Sequence, residues 1–137
     1  LEALERVRET GQGEIEVTVL NNLALLEHAL GDPAAALGRS AQALALARRL
    51  RALPKLMQAL LARGELLLAL GQPERAARLL AAVGEHPATV SYERAYARTL
   101  LARCSAEVAP QHASAEPDAP EPLALDALVA WALEPLA

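Results

Sequence analysis

The stretch ALGDPAAAL at residues 29 to 37 is echoed as ALGQPERAA at 69 to 77, with the two glycines 40 positions apart. This repeated Gly, polar residue and Pro, set in Leu- and Ala-rich surroundings, constrains the fold more than any other feature of the chain. Gly31 and Gly71 lack a Cβ and can take the left-handed conformation that closes a helix. Asp32 can accept the orphan N–H groups of the next helix, and Pro33 or Pro73 suits a first helical position, where no intrahelical donor is needed. Each copy therefore reads as a joint between two helices, and the recurrence reads as an internal repeat.

The rest of the composition agrees with helices. Hydrophobic residues make up 53% of the 137, aromatic residues only 2% with no Phe, and Leu and Ala dominate. Leu fills interhelical space and Ala lets backbones approach, while the β-branched and aromatic residues that favour strands are scarce. The length suits one domain or a segment of a repeat array, and the start at Leu1 carries the expectation of a longer parent protein. Charged residues, Pro or Gly interrupt every apolar stretch before a ~20-residue membrane span is reached, and LEALERVRE does not read as a signal peptide. A soluble cytoplasmic chain is expected, and the single Cys104, unable to form an internal disulfide, agrees with a reducing compartment.

Along the chain, Leu1, Leu4 and Val7 predict a short helix over 1–10, ended by the GQG at 11–13. A second helix over 14–30 would bury Ile15, Leu20, Leu23, Ala24, Leu26 and Leu30. The next runs from Pro33 to Leu53, with Leu37, Leu44, Ala47 and Leu50 inward, and Pro54 breaks it. Lys55 to Leu70 carries Leu56, Leu60, Leu61, Gly64 and Leu67 at helical spacing. A shorter helix from Pro73 to near Val83 buries Ala76, Leu79, Leu80 and Val83. After GEHPAT, a helix from Ser91 to Val108 would bury Tyr92, Ala95, Tyr96, Leu100 and Cys104. The expected organisation is a helical-repeat domain over 1–108, a Pro-rich irregular connection over 109–122, and an amphipathic or capping helix within 123–137.

Catalytic, cofactor and metal sites find no support in the motifs. No Gly-rich loop with a following Lys forms a phosphate cradle, so GQG reads as a turn. His28, His86 and His112 are not spaced as metal ligands, and Cys104 beside Ser105 lacks a base or oxyanion-hole signature, which favours a buried helical thiol. The formal charge of −4 gives no general attraction to nucleic acid. Arg48, Arg49, Arg51, Lys55 and Arg63 form a basic run, but helical spacing and Pro54 spread it, so it reads as a solvated face.

On these residues the chain resembles the tetratricopeptide repeat family. The first matching unit is Val17 to Leu50, with Leu20 at the early large site, Leu23 and Ala24 as a large-small pair, LGDP as the turn, and Ala36 and Ala43 as small packing sites. The second starts at Met57 and carries Leu60, Gly64, Leu67, LGQP, Ala76 and Leu80. Three features depart from the family: the joints are 40 residues apart rather than about 34, Glu27 stands where a large aromatic often packs, and Arg63 where Leu is expected. A long second helix or an altered crossing would absorb the extra length. The HPAT at 86–89 and LALDALVAWAL at 123–133 also resemble the C-terminal helical-repeat region of large bacterial signal-transducing ATPases or transcriptional regulators.

The resemblance implies an all-α, right-handed solenoid of antiparallel helix pairs, closed by a C-terminal capping helix. It implies a non-catalytic protein-interaction module of a bacterial transcriptional regulator or signal-transducing protein, with a structural spacer and a weakly nucleic-acid-contacting accessory as alternatives. The partner would be a protein or peptide, including neighbouring domains of the parent, with self-association open and no cofactor required. Carried onto this chain, the family's concave groove falls on Thr18, Asn21, Leu25, His28, Gln58, Leu61, Glu65 and Leu68. Leu25, Leu61 and Leu68 read better as internal or neighbour-repeat packing than as ligand contacts.

Overall fold

The computed structural model describes residues 2–108 and 125–134, and among these it holds six helices and no strand. They are α1 (Glu2–Ala29), α2 (Pro33–Arg49), α3 (Leu53–Ala69), α4 (Pro73–Glu85), α5 (Ser91–Glu107) and α6 (Leu125–Ala132). The Pro-rich connection expected over 109–122 lies outside the described residues.

Both echoes are joints. Gly31 has φ +86° and Gly71 φ +79°. At each, two hydrogen bonds satisfy the last carbonyls of the helix: Gly31 N–H donates to His28 and Asp32 N–H to Glu27, and Gly71 N–H donates to Leu68 and Gln72 N–H to Leu67. This pairing is the Schellman termination. Asp32 accepts from Ala35 N–H at 3.1 Å, and Pro33 and Pro73 open the following helices.

A third joint of the same kind sits midway between them. Arg51 has φ +53°, its N–H donates to Arg48 and the Ala52 N–H donates to Ala47. The helix expected to reach Leu53 therefore ends at Arg49, and Pro54 falls in the first turn of α3. The extra length does not collect in one long helix: α2 and α3 are both 17 residues. Left-handed residues at 31, 51 and 71 thus divide the chain into equal steps.

Short joints make sequential helices antiparallel. Glu27 meets Arg39 close to the first joint while Gly13 meets Leu50 far from it, as two helices running in opposite directions require. Each helix from α1 to α5 packs on its neighbour, and α3 also touches α1, α5 and α6. α3 is thus the centre, with Leu56, Met57, Leu60 and Leu67 in one core cluster with Leu44, Leu79, Leu80 and Leu100 from the surrounding helices. Each such Leu contributes about 1.5–3 kcal/mol on burial. Ala36 and Ala76 are fully buried, and a Cβ on Gly64 would lie 2.8 Å from Leu80 Cδ2, so small residues do set the helix spacing.

Several expectations need correction. GQG ends nothing: α1 runs through it, because interior glycines cost a helix only about 1 kcal/mol each. A Cβ on Gly13 would sit 2.6 Å from Leu50 Cδ1, so this Gly serves a close contact rather than a turn. Ile15, Leu26 and Leu30 are exposed, because the helices that pack on α1, α2 and α3, leave its other flank without a neighbour among the described residues. On α5 the inward residues are Glu93, Ala97, Leu100 and Cys104, whereas Tyr92, Ala95 and Tyr96 stay outside. Small Ala97 allows close approach there, and the tyrosines keep their hydroxyls at the rim.

The HPAT segment forms the α4–α5 corner. Thr89 Oγ1 donates to the Val83 carbonyl at 2.7 Å, Ala88 N–H donates to His86 Nδ1 at 3.0 Å, and Arg94 donates to the carbonyls of His86 and Thr89. α6 lies over α3 and reaches α2 through Arg48 and α4 through Arg75 and Arg78, with Leu128, Val129 and Ala132 in the common core. Arg48 pairs with Asp126 at 3.3 Å, and Arg75 donates to the carbonyls of Trp131 and Glu134.

Candidate functional site

Past its first two residues, α3 is buried everywhere except at Lys55, Gln58, Ala62, Glu65 and Ala69. These positions recur at the i, i+3, i+7, i+10 spacing of one helical stripe. On one side the stripe meets α1. Lys55 Nζ donates to Thr18 Oγ1 at 3.0 Å and to Gln58 Oε1 at 3.3 Å, and the Thr18 hydroxyl lies 3.3 Å from the same Gln58 oxygen. On the other side it meets α5, where Tyr96 donates to Glu65 Oε1 at 2.5 Å. That bond, with the Glu65 charge, holds the Tyr96 phenol protonated and pushes its pKa up to about 12. Burial raises the Glu93 carboxyl above its ordinary range, opposed by the Lys55 ammonium and the Tyr92 hydroxyl.

The fold separates the eight groove residues into three groups. Thr18 and Gln58 come together, 40 positions apart in sequence, and Glu65 shares their stripe. Leu25 and His28 are half-buried on α1. Asn21, Leu61 and Leu68 are buried, Asn21 to 4% exposure, which withdraws its amide from a surface ligand. The positions carried over from the family resemblance did not include Lys55, Ala62 and Tyr96. The stripe through 55, 58, 62 and 65 was present in the sequence, but Tyr96 was assigned to the core.

Other polar groups are buried without surface access. Asn21 Oδ1 and Nδ2, Ser40 Oγ and Arg63 Nε make no hydrogen bond among the described residues. Arg63, where Leu was expected, is 4% exposed and donates to the Leu37 carbonyl at 3.1 Å. Burial, and then the nearby Arg75, lower its pKa.

Among the described residues, nothing resembles an activated nucleophile. Cys104 is buried, and burial raises its thiol pKa, the reverse of what a reactive thiolate needs. His86 spends Nδ1 on the α4–α5 corner, and His112 lies outside the described residues. Among the described residues no three His, Cys, Asp or Glu side chains gather as a metal-holding group, and no helix is long and apolar enough to cross a membrane. No family model matches the chain, and no curated protein or solved structure matches it either.

Proposed function

We propose that the chain is a tetratricopeptide-like protein-interaction module, a right-handed solenoid of antiparallel helix pairs without catalysis, acting inside a larger bacterial transcriptional regulator or signal-transducing protein in the cytoplasm. Its ligand is a peptide or protein segment lying across α1, α3 and α5. The observation that carries this reading is the single incompletely buried stripe of the central helix, with hydrogen-bonding side chains on both borders and the small Ala62 between them. Lys55, Gln58 and Glu65 offer donors and acceptors to a peptide backbone, and Ala62 leaves room for it.

The test is a photoreactive phenylalanine analogue placed at Ala62 in the full-length parent, with the same analogue at exposed Arg98 as control. A partner that crosslinks at 62, is absent at 98, and is lost on Lys55→Ala with Gln58→Ala at unchanged helicity supports the reading. Absence of any 62-specific crosslink sinks it and leaves the spacer role.

A further inference from the structure

The surface that receives α6 is lined with guanidinium groups. Arg48 meets Asp126, Arg75 and Arg78 lie over the Trp131 ring at 5.1 and 5.0 Å, and Arg75 also holds the last carbonyls of the helix. Arg49 and Arg51 line a cleft of about 640 Å³ that extends from Ala45 to Val129 and Leu133. Beneath these contacts Leu128, Val129 and Ala132 enter the common core. The acid Asp126, the apolar edge and the aromatic ring of α6 each have a complement on this surface, and Arg75 adds donors to the Trp131 carbonyl and to the Glu134 carbonyl just past the helix.

An eight-residue helix does not persist in water alone, so α6 is helical because this surface holds it. Specificity therefore resides in the surface, and a helix of the same pattern from another chain would meet the same groups. Arg49, Arg51 and Arg78 have no carboxylate within ion-pair distance among the described residues. α6 brings only Asp126, with Glu134 just past its end, so a helix with more acids would gain pairings that α6 does not make.

We propose that the groove between α2 and α4 is a receptor for a short, acidic, amphipathic helix with an aromatic anchor, presented by a partner protein, and that α6 occupies it in cis as the competitor. This site lies on the second helices of the pairs, apart from the α1–α3–α5 stripe, and does not depend on that stripe binding anything. A tethered competitor raises the apparent Kd by the reciprocal of the fraction of time the groove stands open.

The probe is a fluorescein-labelled peptide with the sequence of residues 121–137, titrated against the full chain and against the full chain carrying Val129→Asp. Binding at least tenfold tighter to the variant is expected, with a further loss of at least tenfold when the peptide carries Asp126→Lys and Glu134→Lys. Trp131 is the one tryptophan of the chain, so an unlabelled peptide with Trp131→Phe should shift the protein's own emission toward that of an exposed indole. Where Val129→Asp lowers helicity by more than α6 can account for, Trp131→Ala in the protein takes its place in the titration. Equal affinity for both proteins, or no binding to either, overturns the receptor, and equal or tighter binding by the lysine peptide overturns its preference for acids.

Discussion

The contact between Gly64 and Leu80 allows a prediction whose sign changes with its surroundings. A Cβ at position 64 would stand 2.8 Å from Leu80 Cδ2 and 2.9 Å from Cγ, with the Ala76 carbonyl at 3.7 Å. Carbon atoms attract best at roughly 3.5–4.0 Å, so the first two distances are repulsive. Leu80 is fully buried, so it must shift within a packed core to relieve them. Gly64→Ala gains about 1 kcal/mol of helix propensity and loses about 1–3 kcal/mol to overpacking, so the chain should be destabilised by up to about 2 kcal/mol. Leu80→Ala costs about 2–5 kcal/mol by itself, but it removes the clash. In that background Gly64→Ala should stabilise by about 1 kcal/mol. The four proteins form a double-mutant cycle, read by urea unfolding of helical circular dichroism at constant m-value. A coupling of about 1–3 kcal/mol is expected. Stabilisation by Gly64→Ala in both backgrounds, with coupling under ~0.5 kcal/mol, would refute the close approach of α3 and α4.

The joints predict opposite effects from one backbone geometry: Arg51→Gly should raise stability by about 1 kcal/mol, while Gly31→Ala and Gly71→Ala should lower it by a similar amount, all measured by thermal melting. Gly11→Ala, with nothing near its Cβ, should stabilise α1 by up to about 1 kcal/mol, whereas Gly13→Ala should lack that gain because Leu50 stands in the way, again by melting temperature. In a Tyr92→Phe background the phenolate absorbance of Tyr96 should appear near pH 12, and Glu65→Gln should move it back toward about 10. Because the folded-state pKa is raised, this hydrogen bond stabilises fully below the unfolded value near 10 and is lost as pH rises through about 12. Arg63→Met removes a buried charge while keeping most of the stem's volume, so the urea midpoint should stay level or rise, and a large fall would mean Arg63 is needed for packing.

The helical class and the joints were legible because Gly, Asp and Pro act locally, within a turn of the chain. The α4 core was equally legible, since Ala76, Leu79, Leu80 and Val83 form one apolar edge and all four are buried. The third joint was hidden: Arg51 carries none of the residue types that favour a left-handed conformation, and it is the antiparallel packing of α2 on α3 that accompanies it. The exposed flank of α1 was also hidden, because Ile15 and Leu26 look like core until the neighbours are counted. Of the candidate face, Gln58 and Glu65, carried over from the family resemblance, reached the incompletely buried stripe. Asn21 did not, since a polar side chain gives no sign that it will be buried between helices without a partner.

Left-handed residues at 31, 51 and 71 also restrict how such a chain can change in length. A joint must stay at the end of both helices it connects, so a full turn removed from α2 alone would leave α3 overhanging by about 5 Å. That would part Arg63 on α3 from the Leu37 carbonyl on α2. Removing one turn from each helix keeps the joints facing each other and shortens the array evenly. Insertions and deletions in this architecture are therefore tolerated in matched pairs, and helix length behaves as a property of the pair rather than of either helix.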